Sequence, residues 1–74
     1  MSDQHLDAKG LKCPLPVLKA GKAMKSIESG MTLTVEATDP SAPDDFRNFC
    51  ETTGHELIAL DEAEGVYTFT LKKA

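Results

Sequence analysis

The residue best placed for chemistry is Cys13, in Gly10-Leu11-Lys12-Cys13-Pro14-Leu15-Pro16. The thiolate is the nucleophilic form of cysteine, and thiols at helix N-termini have lowered pKa values because the macrodipole puts positive charge there. A helix is expected from about Pro14 to Glu28, with Pro14 at the first helical position, where its missing N–H is no loss. Cys13 is then the N-cap, and Lys12 and Lys9 add positive charge. With Pro14 and Pro16 at the first and third helical positions, the Leu15 N–H is the remaining donor within the cap, which leaves the sulfur comparatively free. Two prolines also fix the helix start. A rigid, exposed, electropositive cysteine suits a group that hands an atom from one partner to another. The competing state, a small buried hydrophobe, is common for free cysteines, but the Gly/Lys/Pro setting speaks against it.

Cys50 is the reverse case. It lies on an apolar stripe with Phe46 and Phe49 and is expected to be a buried structural thiol. The alternative, a resolving thiol for Cys13, requires the two sulfurs to meet. There is no CxxC and no Cys/His cluster at zinc spacing, so no metal is expected. His5 and His55 flank strands and are expected to be partly exposed polar residues. Asp44-Asp45 resembles a paired carboxylate, but acids in a first helical turn ordinarily compensate the helix dipole. Asp39-Pro40 is expected to form a turn.

The elements that must hold Cys13 follow from hydrophobic periodicity. Residues 4–8 alternate weakly and suit a first strand. On the first helix Val17, Ala20, Ala23, Met24 and Ile27 share one arc, the core face. Lys19, Lys22 and Lys25 lie opposite, and Leu15 and Leu18 fall among them, either packed on the second helix or forming a docking patch. Gly30 is a plausible helix cap. Residues 32–37 alternate as a strand with Leu33, Val35 and Ala37 inward. Ser41 with Asp44 resembles a capping box. A second helix is expected from about Ala42 to Thr53, with Phe46, Phe49, Cys50 and Thr53 as its core stripe and Gly54 ending it. Glu56–Asp61 and Val66–Lys72 are strands joined by a loop over 62–65. Tyr67, Phe69 and Leu71 share a face of the last strand. The order βαβαββ predicts an α+β fold, a two-layer α/β sandwich with a four-stranded mixed sheet and both helices on one face.

Length and charge narrow the function further. The chain has 74 residues, room for one domain spanning 1–74. Apolar residues make up 41%, enough for a small core, which argues against disorder. No apolar run approaches a membrane span, and the polar start carries no secretory signal pattern, so a cytoplasmic protein is expected with its thiols reduced. The net charge of −4 argues against direct nucleic-acid binding. The charge is polarised: residues 1–30 carry five lysines against three acids, and residues 31–74 carry three basic residues against nine acids. Such polarity steers protein partners.

Gly10-Leu11-Lys12-Cys13-Pro14-Leu15-Pro16 resembles the CPxP signature of the TusA/SirA-like sulfur-carrier family. Leu6-Asp7-Ala8 is similar to the family's opening strand and Ala37-Thr38-Asp39-Pro40 to its second-strand exit. Phe49-Cys50 with Gly54-His55-Glu56-Leu57 is similar to its following helix end and strand. The resemblance spans nearly the whole chain. It implies a sulfurtransferase without a cofactor, in which Cys13 takes sulfane sulfur as a persulfide from a cysteine desulfurase or a rhodanese and passes it to an acceptor protein. Family pathways include tRNA thiolation, molybdenum-cofactor formation and sulfur oxidation. Gly10, Lys12, Pro14, Pro16 and Asp39 are the supporting positions; Lys12 stands where many members have Arg, so no specific contact is carried over for it. Docking is expected through Leu15, Leu18, Lys19 and Lys22, with the carrier monomeric when free. The alternative is a non-catalytic regulatory or protein-interaction module on the same fold.

Overall fold

The alternation of Thr32-Leu-Thr-Val-Glu-Ala37 forms the strand on which the sheet is built. In the computed structural model, which describes residues 4–74, it buries Leu33, Val35 and Ala37 and half-exposes Thr32, Thr34 and Glu36. The elements are β1 (Gln4–Ala8), α1 (Leu15–Lys25), β2 (Thr32–Ala37), α2 (Ala42–Thr53), β3 (Glu56–Ala63) and β4 (Val66–Lys72). The sheet order is β1-β2-β4-β3. β1 pairs parallel with β2, from Gln4 opposite Leu33 to Ala8 opposite Ala37. β4 pairs antiparallel with both β2 and β3. This is the mixed, four-stranded, two-helix α+β arrangement that the order of elements predicts.

The register aligns the core. Leu33 lies opposite Leu71 and Val35 opposite Phe69, so the buried side chains fall in one layer. The helices add Ala20, Met24, Ala42, Phe46 and Cys50. Phe46 stacks on Phe69 with ring centroids 4.4 Å apart, joining helix layer to sheet. Both rings are fully buried, and truncating such a phenylalanine to alanine costs about 3–5 kcal/mol.

Several boundaries differ from expectation. α1 ends at Lys25, because the Ser26 N–H and Oγ both donate to the Ala23 carbonyl, at 3.1 and 2.8 Å. Ile27 is buried from the turn that follows rather than from the helix. Gly30 caps nothing; its N–H donates to the Lys73 carbonyl at 3.0 Å. Ser41 has helical dihedrals already and makes no side-chain cap, so the capping box does not form. Gly54 does cap α2, its N–H donating to the Cys50 carbonyl at 2.8 Å. Thr53 is exposed rather than in the core, with Oγ1 donating to the Phe49 carbonyl at 2.7 Å. β3 runs to Ala63, shortening the hairpin connection to Glu64-Gly65. Both residues have positive φ, 53° and 81°, as a two-residue type I′ turn requires.

Candidate functional site

The site lies where the parallel pair β1/β2 ends and two loops leave the sheet side by side. One loop, residues 9–14, carries Cys13; the other, residues 38–41, carries Asp39. Two bonds tie them together. The Gly10 N–H donates to Thr38 Oγ1 at 3.0 Å, and the Cys13 N–H donates to Asp39 Oδ2 at 2.8 Å. Gly10 takes φ 81°, a conformation that favours glycine and turns the chain towards Thr38. The acidic residue of the second-strand exit therefore holds the backbone of the motif cysteine.

Cys13 is not the N-cap. The Leu15 N–H donates to the Lys12 carbonyl at 2.8 Å, making a tight turn, and the Leu18 N–H donates to the Pro14 carbonyl at 3.0 Å. Pro14, whose carbonyl accepts that bond, is the cap residue; Leu15 and Pro16 open the helix. The Cys13–Pro14 peptide bond is cis. Cys13 stands one residue farther from the free helical amides than the sequence suggests. Pro16 is buried beneath the helix start, while Cys13, Pro14 and Leu15 stay exposed.

The surroundings of the sulfur are acidic rather than basic. Sγ of Cys13 and one carboxylate oxygen each from Asp39 and Asp45 lie within 4.8 Å of one another. Three potential ligand atoms come together here, although nothing in the chain spacing indicated it. Lys9 is drawn away, with Nζ 3.3 Å from Glu36 Oε1 and 3.7 Å from Asp7 Oδ1. Lys12 is exposed and does not line the groove beside Cys13. The consequence reverses the expected activation. Hydrogen bonding with Asp45, then desolvation, then the negative charges of Asp45 and Asp39 push the Cys13 thiol above its ordinary range. Cys50 is buried as expected, and burial pushes its thiol up as well. Both cysteines are free.

Cys13 opens onto a groove of about 290 Å³ between α1 and α2, lined by Pro14, Val17, Asp45, Asn48, Phe49 and Thr52. Val17, Phe49 and Thr53 also line a second hollow of about 430 Å³ that continues along the helices to Leu18, Lys22, Lys25 and Lys73. Gly21 allows the close approach of Phe49 there: a Cβ at this position would sit 3.5 Å from the ring. Leu15 and Leu18 are 46% and 61% exposed, so neither is absorbed by the core. Lys19 and Lys22 are exposed on the same helix.

Of the residues singled out in the sequence, the structure joins Gly10, Cys13, Pro14 and Asp39 in one cluster and places Leu18 and Lys22 along the groove leading from it. Asp45 was missed as a site residue, having been assigned to dipole compensation, and Asn48 and Thr52 were not considered. They form a polar strip on α2 beside the Phe46/Phe49/Cys50 stripe, and that strip faces the start of α1. Neither histidine reaches Cys13: His5 Nε2 is 3.3 Å from Glu36 Oε1, and His55, which lines the second hollow, accepts at Nδ1 from the Ala74 N–H at 3.1 Å.

Comparison with known proteins places the chain in a family. The family model described as sulfurtransferase TusA matches residues 4–73. A relative from Neisseria meningitidis is 49% identical over 72 residues, covering 97% of each chain. The sulfur carrier protein TusA of Allochromatium vinosum is 47% identical, covering 97% of this chain and 95% of its own. Among solved structures, a SirA-like protein from Desulfitobacterium hafniense superimposes with a TM-score of 0.81 at 28% identity, covering 93% of this chain and 95% of that one.

Proposed function

Because the chain belongs to the TusA family of sulfur carriers, we propose that it takes sulfane sulfur as a persulfide on Cys13 and passes it to an acceptor protein. A sulfur carrier works between a donor and an acceptor; the donor proposed here is a cysteine desulfurase or a rhodanese, and the relay takes place in the cytoplasm. The observation that carries the assignment is an exposed free thiol at the mouth of an interhelical groove, with its backbone fixed by Asp39. Cys50, buried on the core face of α2, offers no such access. No cofactor enters the chemistry, which follows thiol–disulfide exchange: a thiolate attacks a sulfur and a second thiolate leaves.

Docking is assigned to the exposed face of α1, through Leu15, Leu18, Lys19 and Lys22. The two leucines offer apolar contact and the lysines select an acidic partner surface. Nucleic acid is not the partner of this face, because the chain as a whole carries −4. The free carrier is a monomer. The relay it serves is one of tRNA thiolation, molybdenum-cofactor formation or sulfur oxidation.

The test is intact-mass spectrometry without reductant. Wild type and Cys13→Ser are incubated with a desulfurase and cysteine, or with a rhodanese and thiosulfate. The wild type is expected to gain one sulfur and the variant none. No gain with any donor would replace the carrier assignment with a regulatory or interaction module.

A further inference from the structure

Two carboxylates beside the sulfur are a poor setting for a nucleophile that must be anionic to react. Asp39 has a structural duty, since its Oδ2 accepts the Cys13 N–H at 2.8 Å. Among the described residues Asp45 makes no comparable backbone bond, yet it comes to the same sulfur from the facing helix. Its neighbour Asp44 turns outward to Arg47, 3.2 Å away. Among the groove residues around Cys13, namely Pro14, Val17, Asp45, Asn48, Phe49, Thr52 and Thr53, Asp45 alone is ionisable. The cations nearest in sequence do not compensate: Lys9 is paired with Glu36 and Asp7, and Lys12 lies outside the groove.

We propose that Asp45, backed by Asp39, is a charge gate on Cys13: it disfavours the thiolate in the free carrier until a cationic side chain of a docked partner covers the two carboxylates. The gate rests on the assignment of Cys13 as the sulfur-carrying residue. It confines thiolate chemistry to the complex and spares the free protein from stray electrophiles. It also fixes the orientation of docking, because the partner must offer positive charge at the Cys13 end of the groove and negative charge towards Lys22 and Lys25. The upward displacement of the Cys13 thiol agrees with such a gate. With the carboxylates covered, Cys13 gives its proton to solvent and the thiolate attacks the terminal sulfur of the donor persulfide. The new S–S bond forms as the donor S–S bond breaks. The donor sulfur leaves as a thiolate and takes a proton from solvent. Cys13 is oxidised to the extent that the donor is reduced, so no outside redox agent is needed.

The experiment is the pH profile of Cys13 alkylation by iodoacetamide in a Cys50→Ala background, read by mass spectrometry. Asp45→Asn should move the midpoint down by about one unit, a roughly tenfold faster reaction near neutral pH. Asp45→Glu should restore the wild-type profile. Asp44→Asn changes the net charge equally and should leave the profile in place. A short arginine-rich peptide should lower the midpoint of the wild type, and lower that of Asp45→Asn, which keeps Asp39, by less. The proposal is overturned if Asp45→Asn follows the wild-type curve, if Asp44→Asn shifts it as much, or if the peptide moves neither protein. Melting temperatures taken alongside confirm that each variant is folded. These readouts involve no sulfur transfer, so failure of the gate is separable from failure of persulfide loading on Cys13.

Discussion

The two thiols of this chain are both displaced upward in pKa, and for opposite reasons. Cys50 is pushed up by burial among Phe46 and the core of the sheet. Cys13 is exposed and is pushed up chiefly by hydrogen bonding with Asp45, then by desolvation and the charges of Asp45 and Asp39. Burial is a property of the fold and persists for as long as the fold does. A surface hydrogen bond and its charges are conditional, because a partner can displace the bond and a counter-ion or salt can weaken the charges. The same displacement therefore marks one cysteine as inert and the other as switchable.

The largest effect that sharpens this contrast is all-or-none. Cys13→Ser should lose persulfide loading completely, and Cys50→Ser should keep it, as read by intact mass after incubation with donor. Stability should show the mirror image. Cys50→Ser buries a hydroxyl and should lose about 1–3 kcal/mol in urea unfolding, while Cys13→Ser should stay within about 0.5 kcal/mol of wild type. A Cys50→Ser protein that is stable but cannot carry sulfur would erase the distinction.

A smaller effect is expected at the docking face. Leu18→Asp places a carboxylate on an exposed position of the lysine-bearing helix and should weaken binding to a desulfurase about tenfold, or ~1.4 kcal/mol, measured by titration calorimetry. Unchanged affinity would move the docking surface off α1. Salt should act more weakly still. Raising ionic strength from about 0.01 to 1 M shortens the screening length roughly tenfold, and should speed alkylation of Cys13 while leaving Cys50 unreactive.

The smallest effect lies on the alkaline side. The folded pKa of Cys50 is raised, so its stabilising contribution is complete below the unfolded thiol value of about 8.5 and is lost as pH rises through the folded value. Stability should therefore fall above about pH 9 with a component that Cys50→Ala removes. A fall of equal size in that variant would place its origin elsewhere.

Much of this was legible in the sequence. Strict alternation over 32–37 named the inward side chains of β2, and the spacing of Ala20, Met24, Phe46 and Cys50 named the helix faces that cover them. Those patterns are local, and the fold obeys them. The CPxP motif pointed to Cys13, the proposed sulfur-carrying residue. Its electrostatics were misjudged, because the dipole and lysine expectation used only neighbours along the chain. The decisive groups, Asp39 and Asp45, lie 26 and 32 positions further on and reach Cys13 only when β2 and α2 pack beside it. Asp45 also occupies a helix-start position where an acid has a sufficient local reason to exist, which masked its second role. The one-residue error at the start of α1 arose because Pro14 is suited to more than one position there, and the Lys12–Leu15 turn decides between them.

The placement of β1 has a kinetic consequence. β1 and β3 are the two edges of the sheet, but β1 is five residues long and held by one parallel ladder to β2, whereas β3 is tied to β4 through a two-residue hairpin. Local opening should therefore begin at β1 and leave the β2-β4-β3 core intact. In hydrogen–deuterium exchange the amides of residues 5–8 should lose protection before those of residues 67–71. Each such opening should slacken the loop anchored at Gly10 and Thr38, so that breathing of the sheet edge sets how often the Cys13 loop is released and recaptured.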